Sequence, residues 1–375
     1  MTLRQQVIGR IPPLARRDEE LRRRARQIRD LRREQAQAER DLAEERARGE
    51  QLVDPREFSA RPSFVRDLVA LRRITVQLRE LDPQRRHPLR HVPFKLRNYE
   101  FAASHGIRVP TVLAVWEDPT QLDLSGLPEA FVLKSDGGAG SHGVLPLRRA
   151  GEGFELLDGT RRLTEEEVRE HFVSRAAAAR ISGPFFAEEA LRQPGGGPIP
   201  DDIKIYVTYG QVQQVMLRRM ARHGDLKAAT YRYLRADGSD LGPVGLGQAP
   251  GPDIPVPDTL TDLVEVARHV SLALGLAFCR VDLFDTDGGV VLGEVTRTPG
   301  GRQRYRDDHD EAMGLGWELA QSRLELDLMA GRPPGLLHGE HPAPRLYPET
   351  HVSRSADPGA WAPRVVPCSA WCGTT

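Results

Sequence analysis

An apolar strand that ends on a lysine and runs straight into glycines leaves few ways to fold. Residues 131–144 read Phe-Val-Leu-Lys-Ser-Asp-Gly-Gly-Ala-Gly-Ser-His-Gly-Val. The apolar run belongs in a core, and a lysine placed there needs an anion to meet its charge. Directly after Lys134 come Gly137, Gly138, Gly140 and Gly143, with Ser135 and Ser141 as hydroxyl donors. Glycines let backbone N–H groups converge on phosphate oxygens without a Cβ in the way. Such a turn alone is compatible with a tight bend and no ligand. The strand lysine before it and Gly143-Val144 after it favour a phosphate-binding flap. The lysine precedes the glycines, so this is not a Walker loop. A strand, Val144 to Leu147, is expected to follow, so it is not the dinucleotide fingerprint either.

A second segment complements the first. Residues 279–284 read Cys-Arg-Val-Asp-Leu-Phe, and residues 290–300 read Val-Val-Leu-Gly-Glu-Val-Thr-Arg-Thr-Pro-Gly. Asp287-Gly288 between them predicts a hairpin. Strand alternation puts Asp282 and Glu294 on one face, each among apolar neighbours. Paired acids repel unless a cation sits between them. Magnesium takes one or two carboxylates together with substrate phosphates. The alternative is two surface acids on an exposed hairpin. Taken with the flap, the pair predicts a site for ATP and Mg2+.

The rest of the chain is read more coarsely. Residues 14–53 predict one long charged helix, either solvated or a weak coiled coil able to self-associate, with Leu14, Leu21, Ile28 and Leu42 at heptad spacing. Helices are expected over 64–81, 94–105, 164–180, 261–274 and 309–330, and strands over 111–116, 185–189, 202–210 and 211–220. This gives three regions: a charged helix over 1–56, an α+β domain over 57–330, and a proline-rich, loosely ordered tail over 331–375 holding Cys368 and Cys372. Lys+Arg and Asp+Glu are both 53, which points to neither nucleic acid nor a membrane surface. No run approaches the roughly 20 apolar residues of a membrane-spanning helix. The start lacks a signal-peptide core, and the three cysteines make no disulfide framework. The cytoplasm is the expected compartment.

From about Pro93 to Ala330 the pattern resembles the ATP-grasp superfamily. Within it, the pattern looks like the amidoligase-type branch associated with teichuronopeptide biosynthesis. The resemblance rests on Phe131 to Gly143, Phe186-Ala-Glu-Glu-Ala-Leu, Asp202-Ile-Lys, Arg280-Val-Asp-Leu-Phe and Gly293-Glu-Val-Thr-Arg-Thr-Pro-Gly. It implies two α+β subdomains that grip ATP. It implies that Lys95 and Lys134 contact the nucleotide and that Ser135 to Gly143 forms the flap. Glu188, Glu189 and Leu191 would meet adenine and ribose, and Lys204 would lie near the γ-phosphate. Asp282, Glu294 and Thr296 would bind magnesium, Thr296 standing where the wider superfamily has Asn. Arg297, Arg302, Arg304 and Arg306, with Arg218 and Arg219, are candidates for an anionic acceptor, since Arg pairs bidentately with carboxylate; otherwise they are exposed loop residues.

The implied reaction joins a small-molecule or peptide carboxylate to an amine through an acyl-phosphate. Two other readings stay open: a phosphotransferase with a hydroxyl acceptor, and a non-catalytic nucleotide-binding scaffold.

Overall fold

The computed structural model describes residues 12–50, 60–82, 87–138, 142–300, 303–351 and 364–365. The expected flap residues Gly140 and Ser141, and likewise Arg302, Cys368 and Cys372, lie outside them. The chain divides into two units, Met1–Arg61 and Pro62–Thr375.

The first unit holds helix α1 (Pro12–Glu50). Pairs four residues apart line its surface, such as Arg24 with Glu20 at 2.7 Å. Its heptad residues Leu21, Ile28 and Leu42 are all exposed.

In the second unit, α2 (Phe64–Leu81), α3 (Pro88–His91) and α4 (Lys95–Ser104) precede β1 (Val112–Trp116), β2 (Ala130–Gly138), β3 (Val144–Ala150), β4 (Gly153–Leu156) and β5 (Arg162–Leu163). Then come α5 (Glu165–Ala177), β6 (Ile181–Glu189), β7 (Asp202–Thr208), β8 (Gln211–Arg219), β9 (Thr230–Leu234), β10 (Ala249–Pro250) and α6 (Leu260–Leu274). Strands β11 (Cys279–Thr286) and β12 (Gly289–Thr296), helix α7 (Asp307–Met329), and β13 (Leu337–His338) paired with β14 (Arg364–Val365) complete it.

The strands form two six-stranded sheets, ordered β1-β6-β2-β3-β4-β5 and β10-β9-β8-β7-β11-β12. In the first sheet, Phe131, Leu133, Leu145 and Leu147 join Phe172 of α5 in one core. Thr164 caps α5 in a capping box with Glu167.

The second sheet alternates strictly. Ile203, Ile205 and Val207 of β7, with Cys279, Val281 and Leu283 of β11, pack in a core that includes Leu263, Ala267 and Val270 of α6. The intervening residues Asp202, Lys204, Arg280 and Asp282 therefore share the other face. Further along that face, Tyr206 packs with Phe64, Phe278 and Trp317.

Helix α4 connects the two sheets. Ten residues long, it is buried on nearly every side, including Lys95, Leu96, Asn98 and Tyr99. A helix without an exposed face belongs between layers. The Leu96 N–H donates to Asp136 of β2 at 2.8 Å, while the Asn98 amide donates to the Val295 carbonyl of β12 at 3.4 Å.

Three differences from the sequence reading stand out. Strand β2 runs on through Gly138, where a turn was expected after Lys134. Short strands β4, β5 and β9 lacked a run long enough to predict. The chain beyond 330 does not leave the domain at once, since Arg332, Leu337 and Tyr347 are buried. Among the described residues, no helix is long and apolar enough to cross a membrane.

Candidate ATP and metal site

Each of the two sheets that α4 connects carries a charged pole. The first is on the β2–β6 pair, whose register sets Val132 opposite Glu188 and Lys134 opposite Phe186. Lys134 and Glu188 form an ion pair in which the Glu188 side chain is 3% exposed. The Tyr99 hydroxyl of α4 donates to Glu188 at 2.7 Å and accepts from the Lys134 ammonium at 3.3 Å. Burial, followed by the Glu188 carboxylate, holds the Tyr99 phenol well above its ordinary pKa, so it stays a donor.

Lys95 sits at the base of the flap, where its ammonium donates to the Ser135 carbonyl at 3.1 Å. The Ser135 hydroxyl turns inward and donates to the Gly137 carbonyl at 2.9 Å. Gly143 has its own steric reason: a Cβ there would overlap the Ser135 hydroxyl.

The second pole is on the β11–β12 hairpin. Asp282 and Glu294 were expected on one face, and they are direct cross-strand partners. The next pair is Leu283 with Leu292, so Gly293 is an extra bulged residue beside the acids. Asp282 is 6% exposed and saturated. Arg280 donates to both of its oxygens, at 2.6 and 2.7 Å, and Lys204 donates to Oδ2 at 2.6 Å. Burial pushes the Asp282 carboxyl up, but Arg280 and Lys204 outweigh it and hold it below the usual carboxylate range.

Asp202 continues the ladder, accepting from Lys204 at 3.3 Å and from Arg218 at 2.5 and 2.8 Å. The Thr296 hydroxyl lies between Arg280, 3.1 Å away, and Glu294 at 3.4 Å. It links those side chains, which makes it a less available metal ligand than expected.

Tyr99 touches Lys134 and Glu188, and the helix that carries it also bonds the β12 backbone beside Glu294 through the Asn98 amide. The donor set fits magnesium: hard carboxylate oxygens on one face, with room in the count only if phosphates supply the rest. Among the described residues no group of three or more His, Cys, Asp or Glu stands ready to hold a metal alone. Two carboxylates plus phosphate remains the arrangement the residues allow.

Several expected residues are not gathered here. Glu189, next to Glu188 on the strand, faces the other way and accepts from the Thr111 N–H at 2.8 Å. Leu191 follows β6 in a loop and is half-buried. Arg297 donates to the Leu89 carbonyl and is half-buried; burial, followed by the charges of Arg79 and Arg90, lowers its pKa to about 10. The guanidinium at the acidic hairpin is instead Arg280. Arg219 pairs with Asp201 at 2.6 Å, and Arg306 with Asp308 at 3.0 Å. Tyr99, Arg280, Asp202 and Asp136 were missed. Arg280 carried a signal, since its strand position is two residues from Asp282. Tyr99 carried none beyond its helix.

A family model described as TupA-like ATPgrasp matches residues 73–318, more than half of the chain. A probable alpha-L-glutamate ligase of Xanthomonas oryzae pv. oryzae is 28% identical over 212 residues, covering 55% of this chain and 57% of that protein. A probable alpha-L-glutamate ligase of Xanthomonas axonopodis pv. citri is 27% identical over 208 residues, with the same coverage of each chain. The chain thus spans less than two thirds of the length of these curated relatives. Among solved structures, D-alanine–D-alanine ligase from Bacillus anthracis complexed with ATP has a TM-score of 0.40 and 12% identity, over 64% of this chain and 69% of that one. The family match spans both sheets and takes in both poles, and the chain belongs to the TupA-like ATP-grasp family.

Proposed function

We propose that the protein is an ATP- and magnesium-dependent carboxylate–amine ligase that forms an amide or peptide bond through an acyl-phosphate. The observation that carries the reading is that α4 ties both poles together: its Tyr99 touches Lys134 and Glu188, and its Asn98 amide donates to the β12 carbonyl of Val295, next to Glu294. A triphosphate between them would give Lys134 a second anionic partner beside Glu188. Lys95 would hold the flap base, and Lys204 would stand near the γ-phosphate. Asp282 and Glu294 would hold magnesium, which supplies Lewis-acid stabilisation of the phosphate oxygens. Asp282 would share its oxygens between the ion and Arg280.

The reaction needs no covalent enzyme nucleophile. An acceptor carboxylate oxygen attacks the γ-phosphorus, the bond to the bridging oxygen breaks, and ADP leaves. The amine then attacks the acyl carbon. Phosphate departs with the former carboxylate oxygen, and the amine proton goes to solvent. The glutamate-ligase names of the Xanthomonas relatives support an amino acid or peptide as one partner, and the resemblance of the sequence to the branch associated with teichuronopeptide biosynthesis is the ground for a role in cell-envelope polymer or peptide synthesis. The exposed heptad residues of α1 support self-association through that helix.

Mass spectrometry of products from purified protein, ATP, magnesium and a panel of acids and amines tests the reading. It predicts an amide, with one ADP and one phosphate per bond. A stable phosphorylated product that forms without amine would replace it with a phosphotransferase. Bound ATP that is never turned over would replace it with a scaffold.

A further inference from the structure

The sequence beyond Gly331 reads as a tail, and the family match ends at 318. Yet residues 332–347 run back over the domain and make a graded series of contacts along α4. Arg332 donates to the Leu272 carbonyl of α6 at 2.8 Å. His105, just past α4, meets the Leu337 carbonyl at 2.8 Å. The Gly339 N–H donates to the Ser104 hydroxyl at 3.0 Å, and the Leu346 N–H to Glu100 at 2.7 Å. The series ends on Tyr347, which is 3% exposed and donates its hydroxyl to Asp136 Oδ2 at 2.8 Å.

Asp136 is a node. It is fully buried, and its other oxygen accepts the Leu96 N–H at 2.8 Å. Lys95 immediately precedes Leu96, and Lys134 is two residues before Asp136 on β2. One carboxylate therefore fixes the start of the helix that carries Lys95 against the strand that carries Lys134. A buried carboxylate needs its hydrogen bonds satisfied, and Tyr347 supplies one of them from a segment far away in the chain.

We infer that Tyr347 is a positioning residue for nucleotide binding: through Asp136 it sets Lys95 and Lys134 in mutual register, so the segment after α7 completes the ATP cradle. The inference rests on the nucleotide-binding part of the reading above and not on the acceptor chemistry. Tyr347 touches neither lysine, and it acts by holding the carboxylate that joins their two elements. The aromatic ring stays buried in Tyr347→Phe, so that variant removes the hydroxyl and little packing.

The test is equilibrium binding of ATP with magnesium to the full chain, with steady-state kinetics alongside. Tyr347→Phe should raise the ATP Kd about tenfold, the scale of one lost hydrogen bond to a charged group. The KM for ATP should rise with it, while the KM for the acceptor acid should stay within about twofold of wild type. In a double-mutant cycle, adding Tyr347→Phe to Asp136→Asn should cost little more than Asp136→Asn alone, because both break one linkage. An unchanged ATP Kd in Tyr347→Phe, fully additive effects, or an equal loss of ATP and acceptor binding would each overturn the inference. A wild-type protein that binds no ATP would overturn the nucleotide reading along with it. Wild-type ATP binding without amide product would remove the ligase reading and leave this inference standing.

Discussion

The two poles solve one electrostatic problem differently. In the nucleotide pole a single cation, Lys134, faces a single buried acid, Glu188, with Tyr99 as neutral third member. In the metal pole, Asp282 is shared by Arg280 and Lys204, and Lys204 and Arg218 are shared by Asp202. The first is an isolated pair, in which one charge can turn to a phosphate at the loss of one contact. The second is a continuous ladder across β8, β7 and β11, in which Asp202, Lys204 and Asp282 each touch two charged partners. On the function proposed above, a polyanion and a dication would draw on both: a cation that exchanges its partner, and acids held ionised by neighbouring cations.

The largest expected effect breaks the ladder. Asp282→Ala leaves Arg280 and Lys204 without their shared acid and should cost about 3–5 kcal/mol of stability. ADP release should fall at least about a hundredfold. Denaturant melts and a coupled ADP assay read both; a loss of turnover with an unchanged melt would show the ladder to be energetically idle.

Next in size is the isolated pair. Lys134→Ala strands the buried Glu188 carboxylate and should cost about 3 kcal/mol, so it is not neutral for folding. Lys134→Met combined with Glu188→Gln should recover most of that stability and none of the ATP turnover. If the double variant melts no higher than Lys134→Ala, the pair does not behave as an isolated unit.

The metal pole also depends on a bulge. A Cβ at Gly293 would come within 2.5 Å of the Phe284 ring. Gly293→Ala should therefore cost about 1–3 kcal/mol through overpacking. It should weaken magnesium binding more than metal-free ATP binding, as calorimetric titration of each would report. Equal loss of both would mean the poles share their scaffold more closely than their separate sheets suggest.

Acid sets the poles apart with opposite signs. Burial pushes Asp282 and Asp202 up, but Arg280 with Lys204, and Lys204 with Arg218, hold both below the usual carboxylate range. Their stabilisation is whole above an unfolded value of about pH 4 and is lost as pH falls through the lower folded values. Burial holds Asp136 above that range, only partly offset by the Leu96 N–H and Tyr347. Its cost to folding grows as pH rises from about 4 through the raised folded value. Thermal melts from pH 7 to 3 should show Asp136→Asn flattening the profile on the neutral side and Asp202→Asn flattening it on the acid side. Identical profiles for the two variants would erase the contrast.

What could be read from the sequence follows from how local each signal is. The hairpin of β11 and β12 was legible because Asp287-Gly288 is a local signal, but the extra residue Gly293, whose bulge brings Glu294 opposite Asp282, was not. Glu188 and Glu189 were expected together, but adjacent strand residues face opposite ways, and only Glu188 turns to Lys134. Arg297 was expected to meet an anionic acceptor and donates to the Leu89 carbonyl, while the guanidinium on Asp282, that of Arg280, had no expected role. Tyr99 and Tyr347 were not legible. Their partners lie 35 and 211 residues away, and a tyrosine in a helix or after prolines has no local pattern that marks it.

The central claim is that one nucleotide touches both poles. Its most direct measurement is the ATP Kd with and without magnesium for wild type, Lys134→Ala, Glu294→Ala and the double variant. The account predicts that magnesium tightens ATP binding at least about tenfold in wild type, that Glu294→Ala removes this gain, and that the two substitutions are not additive. Magnesium without effect on ATP binding in wild type, or strictly additive losses, would contradict it.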